Sequence, residues 1–328
     1  MTIVEAATFR IVGHSLRRQA MELVVQALIY LAALVAISLI LLIFVFVGRQ
    51  ALPVLISPAV HEEVTLGELF LPQEYGTSEV PLRYVWQPVS VDPKYSLMPL
   101  FLGTLKVTLV AMLLATPLAI LAAIYTTEFA PGWLRETIKP VVEMLAGIPS
   151  VVLGFFALIV LATWMQERFG FDYRLNAITA GVALALAVLP ILYTVAEDAL
   201  GAVPRSYRQA ALALGASPWQ TAWTVVLPSA LPGVFAGVVL GFGRAIGETM
   251  IVLMASGNAA ITSWEFAEPV RTLSATIAAE LAEVVFGSPH YHVLFFIGLL
   301  LFAVTFVLNW TGARLVDRLR RRLAGVER

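Results

Sequence analysis

Apolar residues gather along this chain in six runs, at about 22–47, 99–125, 139–165, 176–198, 230–256 and 291–314. A helix needs about 20 such residues to cross a bilayer. Lipid offers a bare backbone no hydrogen-bond partner, so the runs are expected to be helices. The alternating polarity of a membrane barrel is absent. Pro117 and Pro190 fall inside the second and fourth runs, where each should kink its helix. The first run is longer than a signal-peptide core of about 7–15 residues and reads as a retained anchor.

Between the runs, Lys and Arg are shared unevenly. One set of segments holds Arg10, Arg17, Arg18, Arg135, Lys139, Arg205 and Arg208, then Arg314, Arg318, Arg320, Arg321, Arg322 and Arg328. The other holds Arg49, Arg83, Lys94, Arg168, Arg174 and Arg271. This bias puts both termini in the cytoplasm. Lys106, near the outer end of the second run, is placed to snorkel towards the interface. The expected organisation is a cytoplasmic segment 1–21, a first transmembrane helix 22–47 and a periplasmic segment 48–98. A transmembrane core 99–315 follows, with a cytoplasmic loop at 199–228, and then a basic tail 316–328.

The segment 48–98 is acidic, with Glu62, Glu63, Glu68, Glu74, Glu79 and Asp92. Pro53, Pro58, Pro72, Pro81, Pro88 and Pro93 break any long helix there. An ordered outer cap or docking surface is expected, although a solvated connector fits the composition equally well.

Composition narrows the function classes. Of 328 residues, 59% are apolar and 13% charged, too greasy for a soluble domain, where about a quarter are charged. A net charge of −1 gives no global attraction to nucleic acid. The absence of cysteine excludes disulfides and thiolate metal sites. The lysines, Lys94, Lys106 and Lys139, all lack the context of a phosphate-cradling loop. The stretch from Gly241 to Gly247 is one residue too long for a dinucleotide fingerprint and follows no strand. His290 and His292 are too few for a zinc site of three or four ligands.

Two neighbouring stretches carry the chemistry. Residues 205–214 should form a helix that Gly215 ends, and Ser217 with Pro218 should start another. Pro228 and Pro232 then frame the start of the fifth run. Ala210, Ala211, Ala213, Gly215 and Ala216 would let a partner surface approach closely, although an ordinary amphipathic connector fits as well. In the fifth run, Gly233, Gly237, Gly241 and Ala245 form a ridge of small residues for helix packing. Arg244 and Glu248 are four apart, hence expected on one helical face. They read either as an intrahelical pair that fixes packing or as part of an anion path, in which the guanidinium fork engages oxyanion oxygens. Glu143 begins the third run and reads as a buried structural acid or as a lining of the inner mouth.

The loop resembles the EAA loop of ABC-importer permeases. Gln209, Ala210 and Ala211 are followed after three residues by Gly215, and after nine more by Val225, Val226, Leu227 and Pro228. Gln209 stands where that pattern has glutamate, and Val225 where it has isoleucine. The stretch GRAIGETM at 243–250, with Gly257 and Asn258 beyond, resembles the PstC branch of phosphate-specific ABC permeases. The sister PstA branch has Ala-Pro where this chain has Met250 and Ile251. Residues 86–88, 100–104 and 139–156 are similar as well, and the resemblance covers most of 84–315. The segment 48–83 is longer than in that family.

The resemblance implies an all-α membrane protein with the six-helix fold of a type I ABC-importer permease. It implies a multi-pass subunit of a bacterial inner-membrane phosphate importer that works by alternating access. The implied partners are a PstA-type permease, two copies of an ATP-binding subunit and a periplasmic phosphate-binding protein. ATP and Mg would be held by the ATP-binding subunit, and this chain would carry no cofactor and no enzyme activity. The implied substrate path includes Arg244, Glu248 and Thr249. The implied ATPase-coupling residues are Gln209, Ala210, Ala211, Gly215, Leu227 and Pro228. Competing readings are a permease for sulfate, molybdate or phosphonate, and a scaffold that senses phosphate without transporting it.

Overall fold

A computed structural model describes residues 3–73 and 83–323. Glu74, Glu79, Pro81 and Arg328, named above, lie outside the described residues, as do the side chains of Arg10 and Arg17. Among the described residues, six helical stretches are long and apolar enough to cross a membrane. The chain divides into two units, one ending at Gln50 and one beginning at Ala51.

The described part of the first unit is helical throughout, within the helix Ile3–Ala51, far longer than the expected 22–47. From Met21 to Phe46 its apolar side chains are exposed around the whole circumference, which suits a helix bathed in lipid.

In the second unit the spans are Met98–Phe129, Ser150–Phe169, Ala177–Gly201, Pro218–Gly247 and Pro289–Arg322. Four bounds differ from the pattern-based expectation by more than four residues, one being the end of the last span, at Arg322 rather than 314. The third span starts at Ser150, not 139, because Pro149 caps a new helix after a break at Gly147. Residues Gly132–Ala146 form a separate helix with no buried residue, and Glu143 on it is exposed rather than a buried acid. The fifth span starts early and stops early. The short helix at Pro218 runs through a π turn, Ala222–Val226, straight into Leu227–Gly247. Pro228 therefore lies in the first turn of that helix and Pro232 inside it, rather than at a boundary. After Gly247 the backbone opens, and Met250–Ala255 is a second short helix.

The fourth span is the centre of the unit, buried along most of its length. Small residues let its neighbours close on it. A Cβ added at Gly233, Gly237 or Gly241 would come within 2.6 Å of Ala199, 3.0 Å of Val195 or 2.8 Å of Leu192. The expected ridge of the fifth span is thus the seam against the fourth. Gly181, on the fourth span, receives Val110 of the second in the same way, at 2.5 Å. Without free water to squeeze out, such close van der Waals contact is what holds membrane helices together.

Two ends of this bundle are distinguishable. One carries the loop 202–217 and is called the loop face. The other carries a cap built from 51–73 and 83–97, which rests on Leu273, Val293, Leu294 and Ile297. Pro53 and Pro58 each open a four-residue helix, the position where a missing N–H costs least. Thr65 and Glu68 form a capping box on the next, Leu66–Phe70. A short hairpin follows, pairing Trp86 with Tyr95 and Gln87 with Lys94. The acidic segment is therefore an ordered cap over its described part, not a solvated connector.

Residues 265–268 also lie on the cap face. The first amides of the fourth span donate to carbonyls there, Ala177 to Glu268 at 3.1 Å and Ile178 to Phe266 at 3.3 Å. Lys106 does not snorkel outward as expected. It is fully buried and donates to the Glu265 carbonyl at 2.7 Å, because this loop covers the end of the second span. Close packing there leaves no room at Gly103, where a Cβ would meet the Arg271 carbonyl oxygen at 2.2 Å. Gly103→Ala should lower stability by about 1–3 kcal/mol, the usual cost of overpacking. Thermal unfolding of the detergent-solubilised protein checks this, and an unchanged midpoint would refute the close approach.

Candidate functional site

The motif at 243–250 sits where the fifth span ends. Gly247 is the last helical residue, and Glu248 turns extended at φ −67° and ψ 131°. Its carbonyl accepts a hydrogen bond from Ser274 Oγ at 2.8 Å, which holds the opened backbone in place. Thr249 Oγ1 donates to the Gly247 carbonyl at 3.2 Å, and the chain then re-enters a helix at Met250. The expected one-face pairing of Arg244 with Glu248 does not form, because Glu248 lies beyond the helix and has left its periodicity.

Arg244 is exposed, and among the described residues its guanidinium has no hydrogen-bond or ion-pair partner. Glu248 and Thr249 are half-buried beside it in sequence. A charged side chain facing the hydrocarbon costs up to about 2.5–3.5 kcal/mol on insertion scales. That cost favours a surface around Arg244 that faces protein or water over one that faces acyl chains. Its donors remain free for a planar or tetrahedral oxyanion.

The loop face holds the second group of expected residues. The helix Arg205–Ala213 forms as predicted, and Gly215 closes it at φ +87°, a conformation that favours glycine. Ser217 caps the next helix with a capping box to Gln220. Gln209 and Ala210 are exposed, Ala211 is buried, and Leu227 and Pro228 are half-buried. Tyr207, Leu214 and Trp219 stand out from the loop as large exposed apolar side chains, Leu214 being 90% exposed. A cleft of 570 Å³ lies beside them, lined by Thr127, Glu128, Arg135, Arg205, Arg208 and Gln209.

Several residues that order this face were not visible as a site in the sequence. Arg208 of the loop pairs with Glu128, which lies in the π turn closing the second span. Glu197 is buried on the fourth span and accepts from Arg135 and Lys139, both at 2.8 Å. Lys139 also reaches Asp198 at 2.7 Å. Hydrogen bonds to Asp198 and Glu197 hold the Lys139 ammonium well above the usual lysine range. In the sequence these cations counted only towards the orientation of the chain. Glu197, an acid at the end of an apolar run, was a signal that could have been followed.

The cap face has its own polar hub. Glu280 accepts from Trp86 Nε1 at 3.0 Å, pairs with Arg271 and lies 2.9 Å from His290 Nε2. Arg271 in turn donates to Asn258 at 3.0 Å. No group of His, Asp and Glu among the described residues is arranged to hold a metal, and His290 belongs to this hub. Burial, then the charges of Glu63 and Glu280, push the nearby Tyr95 hydroxyl up to about 12. For Glu280 burial acts to raise the pKa, but bonds from His290 and Trp86 and the Arg271 charge outweigh it and hold the carboxyl below its ordinary range.

Residues 115–323 match the family of binding-protein-dependent transport system inner membrane components. The chain is similar to the probable ABC transporter permease protein YqgH of Bacillus subtilis, with 32% identity over 91% of this chain and 92% of that protein. It is also similar to the phosphate transport system permease protein PstC of Mesorhizobium japonicum, at 35% identity over 68% of this chain and 73% of that one. PstC of Xylella fastidiosa strain Temecula1 is 33% identical over 72% and 78% of the two chains. Among solved structures, a chain of the bacterial alginate ABC transporter, in complex with an alginate pentasaccharide-bound periplasmic protein, aligns with a TM-score of 0.57. That alignment covers 88% of this chain and 94% of that one at 14% identity. A chain of the inward-facing MetNI methionine ABC transporter aligns with a TM-score of 0.51, covering 68% and 94% at 20% identity. These two likenesses concern the fold, a type I ABC-importer permease.

The Glu280 hub makes a pH prediction. A carboxyl held below its unfolded value stabilises the fold fully above about pH 4.5 and loses that contribution as pH falls through the lower folded value. Thermal unfolding in detergent should show an acid-side loss in the parent protein that Glu280→Gln lacks. Parallel pH profiles for the two proteins would contradict the hub's role.

Proposed function

The chain belongs to the binding-protein-dependent transport system inner membrane components, and on that premise we propose that it is the permease of an ATP-driven phosphate importer. The observation that carries the reading is Arg244. It is an exposed, unpaired guanidinium in an otherwise apolar span, beside a backbone break held open at Glu248. A forked cation on the surface of a membrane helix needs a counter-surface, and a path shared with a second permease supplies one. Arg244, Glu248 and Thr249 line that path and meet phosphate as it passes. The PstC proteins similar to this chain are described as phosphate transport permeases.

The assembly consists of this chain, a PstA-type permease, two ATP-binding subunits and a periplasmic phosphate-binding protein, set in a bacterial inner membrane. The distribution of Lys and Arg supports an orientation with the loop face and both termini in the cytoplasm and the cap face in the periplasm. The binding protein delivers its load to the cap face. ATP and Mg bind to the partner subunits, which press on the loop through Gln209, Ala210 and Ala211 and the turn at Gly215. Leu227 and Pro228 carry that push into the fifth span. This chain supplies no hydrolytic group of its own. Phosphate moves because the partners' nucleotide state favours one of two conformations over the other.

Arg244→Gln should abolish phosphate uptake in liposomes that hold the whole assembly, while the complex still purifies intact. Uptake equal to that of the parent assembly would sink the path assignment. Competition by sulfate or molybdate as strong as by phosphate would move the substrate to a broader oxyanion class.

A further inference from the structure

Arg208 belongs to the loop helix, yet every group it holds lies outside that helix. Its Nη2 donates to Glu128 Oε1 at 2.7 Å, and its Nε to Oε2 at 3.1 Å. The same guanidinium donates to the carbonyls of Leu200 at 2.9 Å and Val203 at 2.5 Å, just past the end of the fourth span. The two side chains are only 19% and 10% exposed. A fork with this many partners fixes orientation as well as distance. Its Glu128 end belongs to the turn Tyr125–Phe129, which ends the second span.

The covalent chain already ties the loop to two spans. It leaves the fourth at Gly201 and runs into the fifth from Pro218. Nothing in the chain ties it to the second span, which is 80 residues away at Glu128. The Arg208–Glu128 fork is the polar tie, beside the ring contact of Trp219 with Phe129 at 5.9 Å. Tyr193 donating to Thr126 at 3.0 Å reinforces it from the fourth span. Arg135 and Lys139, held on Glu197, extend the connection to the helix Gly132–Ala146, which leads to the third span.

We propose that Arg208 and Glu128 are a positioning pair that makes the second span move with the loop. A push on residues 205–221 then displaces the second, fourth and fifth spans together, instead of the fourth and fifth alone. The proposal rests on the reading of this loop as the surface that meets the ATP-binding subunits. A brace that only keeps the loop folded would hold equally well in one state. The two roles differ in what the pair does between states.

The natural absence of cysteine allows clean labelling. Leu121→Cys on the second span and Ser206→Cys on the loop, both exposed positions, carry a pair of spin labels in the full assembly. Their separation is measured without nucleotide and after trapping with ATP and vanadate. We expect the same distance in both states for the labelled parent chain. With Arg208→Gln or Glu128→Gln added, the distance should differ between the states. Uptake should then fall by roughly tenfold or more while ATP hydrolysis continues, within the range of coupling between distant sites. Arg208→Lys should recover part of the uptake. A distance that changes with nucleotide in the parent chain would overturn the proposal. So would Arg208→Gln with an invariant distance and full uptake. Mobility of the Ser206 label alone separates the two readings. If the ATP-binding subunits leave it unchanged, the coupling-loop reading falls, and the proposal with it. If they slow it while the distances fail, only the positioning pair is lost.

Discussion

Close approach to one helix is the constraint on which the rest of this molecule depends. The fourth span is buried along most of its length, and its neighbours reach it over glycines. Gly181 takes Val110 of the second span, while Gly233, Gly237 and Gly241 of the fifth take Ala199, Val195 and Leu192. In lipid, apolar surface alone gives helices no reason to associate, so this fit supplies the cohesion. It also fixes where polar groups can go. The most buried acids sit at the two ends of the bundle beside cationic partners, because a buried ion stripped of its partner costs about 3–5 kcal/mol.

The two ends solve that problem with the same device. On the loop face Glu197 gathers Arg135 and Lys139, and on the cap face Glu280 gathers Trp86, Arg271 and His290. In each case one largely buried acid draws together segments that are remote in sequence. Arg244 stands apart from both. It lies far from either hub in the chain, on the surface, with its donors unused. Both hubs contrast with it, since in each the charges are held by partners.

Much of the architecture was legible in the sequence. The six apolar runs, the loop helix from Arg205, its end at Gly215 and the glycine seam all follow from local composition and spacing. What escaped was set by tertiary contacts. The break after Gly247 carries no proline, and Gly241 and Gly243 just before it remain helical, so composition did not single it out. It is held by Ser274, which arrives from 26 residues downstream. The start of the third span shifted because Lys139 and Glu143 lie on a helix docked by ion pairs, while a hydropathy reading merged it with the span beyond. Lys106 was misplaced for a similar reason, since the loop at 265–268 that covers it is invisible from its neighbours in sequence. Glu128 and Arg208 lay in plain view as ordinary charges, and only folding makes them a pair.

The continuity from Pro218 to Gly247 has a mechanical meaning. From Pro218 to Arg244 the helix is about 39 Å long at about 1.5 Å per residue. It stays helical along that length, with one π turn near its loop end and Pro232 inside it. Such a rod is a lever. A tilt of about 5° at the loop end sweeps Arg244 through roughly 3 Å, about the length of one hydrogen bond. A movement too small to reorganise the bundle is thus enough to carry the guanidinium out of reach of a hydrogen-bond partner.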